Sequence, residues 1–198
     1  MKKRGGFTLV ELAIVLVIVG IIIGFILKGQ ELIRNSQIKR THRMYLELVA
    51  TFYSYQDRYG KLPGDDNRVS LRWNLDPANN GDGDGRIESA NPYDLDFNCT
   101  DTTNTEECKV WQHLRLSELI GGTGRSNPTN VFGGSVAVGY ITLQGLPFHW
   151  IGFEGVPSDI ARDIDLKYDD GIYNTGWIRA RNDYILTTGT NTLYFKFK

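Results

Sequence analysis

The sequence of 198 residues is poor in the features that build catalytic and nucleic-acid sites. It contains no Gly-x-Ser-x-Gly element, no phosphate-binding loop and no zinc-protease helix. Lys+Arg is 22 and Asp+Glu is 23, so the chain has no basic excess of the kind that binds nucleic acid. The three histidines are scattered: His42, His113 and His149. These absences argue against an enzyme and against a nucleic-acid partner.

Proline is absent from residues 28–59, and the pattern there is helical. Apolar residues recur at the i, i+3, i+4, i+7 spacing of one helix face: Tyr45, Leu48, Val49 and Phe52. Gly60 fits a C-terminal cap, and Pro63 prevents continuation of the helix. The sequence therefore predicts one helix over residues 7–59, apolar on all sides in its first half and on one side in its second.

Residues 7–27 form an apolar run that carries one charge, Glu11. The run is long enough to cross a hydrocarbon core of about 30 Å. A cleaved secretory signal usually has a shorter apolar core and a small-residue cleavage site. Here the polar segment Lys28-Gly29-Gln30-Glu31 follows instead. The basic leader, Lys2-Lys3-Arg4, predicts a cytoplasmic N-terminus.

The acid within this run needs an explanation, because a carboxylate at membrane depth is costly without a partner. The segment Gly5-Gly6-Phe7-Thr8-Leu9-Val10-Glu11 resembles the prepilin signature of type IV pilins and type II secretion pseudopilins. The resemblance implies cleavage between Gly6 and Phe7 by a prepilin peptidase, followed by methylation of the Phe7 amine. It also implies that the Glu11 carboxylate pairs with the N-terminal amine of a neighbouring subunit, so that the two charges offset each other.

The resemblance also implies a fold, a location and a set of partners. The fold would be an α+β ladle, in which a long N-terminal helix packs on an antiparallel β-sheet. The protein would cross the inner membrane once and later enter a filament in the periplasm or at the cell surface. Its partners would be the peptidase, other pilin subunits, and an assembly platform with its ATPase. The expected parts are a leader (1–6), a filament-core helix (7–27), an amphipathic continuation (28–59) and a globular domain (60–198).

Within the globular domain, the patterns predict two helices and five strands. Residues 110–120 read as a helix that buries Trp111, Leu114 and Leu119. Ser158 is the expected cap of a helix that ends near Leu166. The expected strands, which form an antiparallel sheet packed on the apolar face of the long helix, are 131–143, 148–153, 177–180, 184–187 and 192–197.

A loop rich in Asn, Asp and Gly follows residue 79 and resembles the start of an EF-hand-type calcium loop. Its hard oxygens fall at alternate positions, where side chains of a tight turn converge on one centre. The predicted ligands are Asn80, Asp82, Asp84, the carbonyl of Arg86, and Glu88 through water. Asn91 replaces the usual bidentate Glu, which predicts a weak site completed by water or by Asp76. The alternative is a loop whose side chains satisfy their own backbone.

Two smaller features have simpler interpretations. Cys99 and Cys108 follow a membrane segment, and an oxidising compartment would join them in a disulfide. A second acidic cluster, with Asp163, Asp165 and the pair Asp169-Asp170, reads as a helix and an ordinary Asp-Gly turn rather than a metal site.

The sequence thus favours a type IV pilus-like structural subunit. Lys28 stands where many major pilins have a proline, and this departure leaves the minor-pilin assignment open. A type II secretion pseudopilin is the nearest alternative. A calcium-dependent adhesin at a filament tip and a membrane-anchored periplasmic enzyme are the alternatives from other classes.

Overall fold

The computed structural model describes residues 8–197. Two units make up this part of the chain, one ending at Lys39 and the other beginning at Arg40. The elements, in chain order, are α1 Leu9–Tyr59, α2 Val69–Trp73, a 3₁₀ turn Pro77–Asn79, α3 Glu106–Leu116, β1 Val136–Leu143, β2 Leu146–Pro157, α4 Ser158–Tyr168, β3 Ile178–Ala180 and β4 Thr190–Lys196.

The first unit is helical and apolar. Every side chain from Thr8 to Lys28 is exposed, although most are large hydrophobic groups such as Leu9 (87 % exposed) and Phe25 (73 % exposed). Among the described residues, α1 is the one helix long and apolar enough to cross a membrane, with a mean hydropathy of 3.1 in its most apolar window. The predicted long helix is confirmed from Leu9 to Tyr59.

The second unit is built on a four-stranded antiparallel sheet in the order β1-β2-β4-β3. β1 and β2 form a hairpin, and their last pair is Leu143 with Leu146. The two residues between them, Gln144 and Gly145, both have positive φ, as the tight hairpin turn requires. β2 and β4 lie at the centre, where Ile151 pairs with Phe195.

The part of α1 within the second unit packs on this sheet through aromatic side chains. Tyr45 stacks on Phe195 with a centroid distance of 4.8 Å, and Phe52 stacks on Phe197 at 5.2 Å. The Tyr45 hydroxyl donates a hydrogen bond to the Lys196 carbonyl at 3.0 Å. The predicted packing face of the helix and the α+β architecture are therefore confirmed.

The helix ends where the sequence predicts. The Gly60 amide donates to the Gln56 carbonyl at 2.8 Å, and Gly60 has φ +71°, a conformation that favours glycine. Tyr55 continues the predicted face one turn beyond Phe52 and is fully buried near this end.

Several predicted boundaries in the second unit are wrong. Residues 184–187 do not form a strand, because Tyr184 turns inward and its hydroxyl donates to Asp165 Oδ2 at 2.7 Å. The first strand begins at Val136 instead of residue 131, since Asn130 closes a turn by accepting from the Phe132 amide. The helix predicted for residues 110–120 is α3, which begins four residues earlier and ends at Leu116.

Two further details of the helices differ from expectation. Ser158 begins α4 but makes no side-chain cap hydrogen bond, because Pro157 is the residue at the cap position. The short helix α2 was not predicted, since the sequence after Gly64 reads as loop.

The stacked aromatic contact between α1 and the sheet gives a stability prediction. Phe52 is 1 % exposed, so Phe52→Ala should lower the free energy of unfolding by about 3–5 kcal/mol through lost burial and a residual cavity. Leu46 on the same helix is 51 % exposed, and Leu46→Ala should change the free energy of unfolding by less than about 0.5 kcal/mol. Urea unfolding followed by tryptophan fluorescence measures both, and equal effects would contradict this packing.

Candidate functional site

The start of α1 forms a capping box between Thr8 and Glu11. The Thr8 amide and hydroxyl donate to Glu11 Oε2 at 2.7 and 2.9 Å, and the Glu11 amide donates to Thr8 Oγ1 at 3.3 Å. A Glu three residues after the cap therefore has a local use in a single chain. The sequence pattern did not predict this local role, and because of it the carboxylate alone does not distinguish a plain membrane anchor from a filament subunit.

The predicted processing residues cannot be placed in the same way. Gly6 and Phe7 lie outside the described residues, so cleavage between them and methylation of Phe7 stay predictions.

In the second unit, the loop after α1 meets the glycine-rich loop and α3. His113 of α3 is fully buried and joins the two loops: its Nδ1 accepts from the Gly64 amide at 2.8 Å, and its Nε2 lies 2.8 Å from the Asn79 carbonyl. The acceptor role of Nδ1 places the ring proton on Nε2, so Nε2 donates to that carbonyl. Nothing in the sequence distinguishes this histidine from the other two as a bridge between loops.

Asp66 anchors the same loop to the end of α1. It is fully buried and forms a bidentate ion pair with Arg72, whose Nη2 lies 2.9 Å from Asp66 Oδ1. The Tyr55 hydroxyl donates to Asp66 Oδ2 at 2.8 Å. The planar guanidinium and the phenol satisfy this carboxylate, as a buried charge requires.

An acidic cluster lies beside this anchor and consists of Asp65, Asp82 and Glu106. One oxygen of each carboxylate lies within 4.8 Å of the other two. Glu106 holds the glycine-rich loop, since its Oε1 accepts from the Asp82 amide at 2.7 Å and its Oε2 from the Glu88 amide at 3.2 Å. Hard oxygens in this arrangement could hold a metal ion.

The acidic cluster is electrostatically strained. Burial raises the pKa of Glu106 to about 7, the two backbone amides lower it in part, and the nearby charges of Asp82 and Asp65 raise it further. Burial likewise raises the pKa of Asp65. Raised pKa values such as those of Glu106 and Asp65 are common among the carboxylates of functional sites, and they also occur in purely structural networks.

The residues predicted as a calcium loop are only partly brought together. Asp82 belongs to the acidic cluster, and its Oδ1 also accepts from the Asp84 amide at 3.0 Å. Asn80 Oδ1 accepts from the Ser70 amide at 2.8 Å, and Asp84 Oδ1 from the Arg86 amide at 2.8 Å.

The other predicted positions have different surroundings. The side chains of Arg86 and Glu88 border a separate cleft beside Tyr140. Asp76, which could have completed the site, caps the 3₁₀ turn through the Ala78 amide. The ligand set Asn80, Asp82, Asp84, Arg86 and Glu88 stays a prediction.

The second acidic cluster is held by hydrogen bonds from its own loop. Asp165 accepts from the Gly171 amide at 3.2 Å as well as from Tyr184, and Asp169 Oδ2 accepts from the backbone amides of Trp177 and Ile178. Three of its carboxylates are close enough to share an ion. Their hydrogen bonds nevertheless match the interpretation as a turn that satisfies itself.

The predicted disulfide is confirmed. Cys99 and Cys108 are bonded, with their Cα atoms 5.4 Å apart, and the bond ties the segment before α3 to its first turn. Glu107 supports the same segment from within α3 by accepting from the amides of Ala90 and Asp96.

The important residues that sequence reasoning missed are Asp65, Asp66 and Glu106. The first two stand in the loop directly after the predicted helix end. Glu106 follows Thr105 at the true start of α3, and the prediction placed that start four residues too late. A search for a Thr cap followed by acids in the first helical turn would have found it.

The helix and the sheet together define the class of the protein. A long N-terminal helix with an exposed apolar first part, whose later part packs on a four-stranded antiparallel sheet, is an α+β pilin-like architecture. Residues 1–27 match the family model described as the prokaryotic N-terminal methylation motif, which is the type IV prepilin signature. No curated protein and no solved structure matches the chain. The motif and the apolar helix fit a membrane-anchored pilin and suggest a structural subunit.

Acid should weaken the second unit through His113. Burial lowers the pKa of His113 from 6.5 to about 4, so the unfolded chain takes up the proton first as the pH falls. The contribution of neutral His113 to the free energy of unfolding is complete above pH 6.5 and is lost as the pH falls towards 4. A pKa shift of this size corresponds to about 3 kcal/mol.

The variant His113→Asn separates this effect from the carboxylates, which titrate in both proteins and cancel in the difference. Its amide oxygen can still accept from the Gly64 amide, but it does not titrate. The wild type should therefore lose about 3 kcal/mol relative to the variant between neutral pH and pH 4, measured by urea unfolding. Parallel pH profiles would show that His113 is not protonated on unfolding.

Proposed function

We propose that this chain is a structural subunit of a type IV pilus or pseudopilus. The observation that carries the proposal is the methylation motif at residues 1–27 joined to a helix whose apolar surface is exposed. Water cannot accommodate a surface of this kind, so lipid or other helices must cover it. A prepilin meets both requirements in turn, first in the inner membrane and later in a bundle of subunit helices.

Processing is the first step of the proposed function. A prepilin peptidase cuts between Gly6 and Phe7 on the cytoplasmic side and methylates the Phe7 amine. The expected parts are then the leader 1–6, the filament-core helix 7–27, the amphipathic helix 28–59 and the globular domain 60–198. An assembly platform and its ATPase lift the processed subunit out of the inner membrane into the filament.

Assembly is the second step, and Glu11 changes partner in it. In the single chain, the carboxylate accepts from Thr8 at the start of the helix. In the filament, it pairs with the Phe7 amine of a neighbouring subunit, where two opposite charges in an apolar setting offset each other's desolvation. The capping box thus supplies hydrogen bonds to the Glu11 carboxylate until the amine of the neighbouring subunit replaces them.

The pilus and the pseudopilus share this mechanism, and the pilus remains the favoured assignment. Loss of surface pili in a deletion strain supports a pilus subunit, whereas loss of protein secretion supports a pseudopilin. A calcium-stabilised loop is a secondary part of the proposal, and filament assembly does not depend on it.

Mass spectrometry of the native protein tests the processing step. The N-terminal peptide should begin at Phe7 and carry one added methyl group on its amine. Gly6→Val should abolish cleavage, because the peptidase recognises the small residue before the cut, and this variant should keep residues 1–6. A wild-type protein that retains residues 1–6, or one cut beyond Leu27, would rule out the filament proposal.

A pair of substitutions at Glu11 tests the assembly step against simple helix capping. Gln serves in a capping box almost as well as Glu, but it carries no charge. Glu11→Gln and Glu11→Val should therefore both leave processing intact and both reduce filament yield at least about tenfold, because the charged pair is worth more than about 1.4 kcal/mol.

Filament yield is measured by electron microscopy and by immunoblotting of sheared surface fractions. Thr8→Val is the matched control, since it removes the cap hydroxyl but keeps the charge. Normal filaments from Glu11→Gln, together with a defect in Thr8→Val, would mean that Glu11 acts only as a cap.

A further inference from the structure

The acidic cluster of Asp65, Asp82 and Glu106 draws its members from three separate segments. Asp65 follows the end of α1, Asp82 stands in the glycine-rich loop, and Glu106 is the first residue of α3. Their three ligand oxygens lie within 4.8 Å of one another, inside the span that one calcium ion bridges at bond lengths of about 2.3–2.6 Å. Exposed acidic groups are common without an ion, and what distinguishes this cluster is a buried carboxylate oxygen that has no hydrogen-bond partner.

The unpaired carboxylate oxygen belongs to Asp65. The residue is 0 % exposed, and its Oδ2 accepts from the Gly85 amide at 3.1 Å. Its Oδ1 is buried and has no hydrogen-bond partner in the part of the chain that the structure describes. A fully buried carboxylate oxygen is normally paired, because leaving it unpaired costs its full desolvation energy. Asp66, its neighbour in the chain, shows the usual arrangement, with both oxygens paired.

Two lysines near the cluster could in principle neutralise it. Lys61 Nζ donates to the Gly83 carbonyl at 2.5 Å, and Lys109 Nζ donates to the Asn80 carbonyl at 2.7 Å. Within residues 8–197, neither ammonium group forms an ion pair with any of the three carboxylates. Both lysines therefore contact the backbone of the loop. The charge of Lys61 lowers the pKa of Asp65, but among the described residues no cationic group contacts the Asp65 Oδ1 atom.

We infer that Asp65, Asp82 and Glu106 bind a divalent cation of the calcium type, with Asp65 Oδ1 as the buried ligand. This ligand set shares only Asp82 with the one that the sequence predicts. The donors are all hard oxygens, and exposed Asp82 leaves one side open to water ligands. Calcium tolerates the irregular geometry of three segments, whereas magnesium demands a nearly ideal octahedron.

The loop geometry supports a fixed site. The Gly81 amide donates to the Asp66 carbonyl at 2.9 Å, and a Cβ atom on Gly81 would collide with the backbone of Gly64 and Asp65. Glycine at this position therefore lets the two loops touch, which brings Asp82 next to Asp65. A bound cation joins the end of α1, the glycine-rich loop and α3 at one point. This inference does not depend on the filament proposal.

Calcium titration of the full-length protein in detergent tests the inference. The probe is calcium chloride alone, with isothermal titration for affinity and tryptophan fluorescence for thermal unfolding. All four tryptophans (Trp73, Trp111, Trp150 and Trp177) lie in the second unit, so their signal reports on that unit and not on the apolar helix. The wild type should bind calcium and melt at a higher temperature with it than with a chelator, and magnesium should have a smaller effect.

Asp82→Asn and Asp84→Asn form a matched pair that separates the two ligand sets. Both residues are exposed, both accept a backbone hydrogen bond two residues ahead, and asparagine keeps that bond in each. Asp82→Asn should weaken calcium binding at least about tenfold because it removes a charged ligand, whereas Asp84→Asn should change it by less than about threefold. Glu106→Gln should weaken calcium binding as much as Asp82→Asn does. Because Glu106 is buried, this variant could fail to fold, and Asp82→Asn at an exposed position then decides the outcome.

Two results would overturn the inference. A wild-type melting curve that is the same in calcium and in chelator, with no binding heat, would mean that there is no site. If Asp84→Asn lost as much calcium affinity as Asp82→Asn or more, the ligands would instead be those of the sequence-predicted loop. In either case, cleavage after Gly6 and filament assembly could still occur, so failure here is distinguishable from failure of the proposed function.

Discussion

The rest of this protein depends on one constraint: the apolar surface of the first part of α1 must be covered. From Leu9 to Leu27 most side chains are large, hydrophobic and exposed, and no group within the described residues 8–197 buries them. Lipid can cover such a surface at first, and neighbouring helices can replace the lipid, since both are equally apolar. Under the proposed function, a subunit that moves from membrane to filament keeps this surface covered throughout, and the Glu11 carboxylate would exchange its Thr8 partners for the amine of a neighbouring subunit.

The second unit solves a different problem, because its loops bring many polar groups into the interior. Buried backbone amides and carboxylates need hydrogen-bond partners, and here they form hydrogen bonds between segments that lie far apart in the sequence. His113 holds two loops together, Asp66 pairs with Arg72, and Glu106 accepts two amides of the glycine-rich loop. These contacts, with the disulfide, fix loops that a small sheet alone would leave loose. Among the buried carboxylates of the described residues, Asp65 is the exception, because its Oδ1 has no hydrogen-bond partner, and this is the reason why a cation is inferred beside it.

The elements that could be predicted from the sequence are those with strong periodicity. The long helix, its apolar face and its end at Gly60 follow from residue spacing and from the position of Pro63. All four strands follow from β-branched and aromatic runs, although their exact ends do not. The disulfide follows from a pair of cysteines behind a membrane segment.

The parts that could not be predicted depend on contacts between distant residues. Tyr184 looks like the start of a strand, but its buried hydroxyl binds Asp165, and this contact bends the chain into a turn. The acidic cluster combines residues up to 41 positions apart (65 to 106), so no local spacing can reveal it. Of the residues that the EF-hand-like spacing singles out as side-chain ligands, only Asp82 belongs to the acidic cluster. The spacing could not show that Asn80 faces Ser70 instead.

A high-resolution structure of the native filament is the measurement that tests the central claim most directly. We expect residues 7–27 to pack in the filament core, with the Glu11 carboxylate within hydrogen-bond distance of the Phe7 amine of an adjacent subunit. A filament in which Glu11 still accepts only from its own Thr8, or in which this helix lies outside the core, would contradict the account.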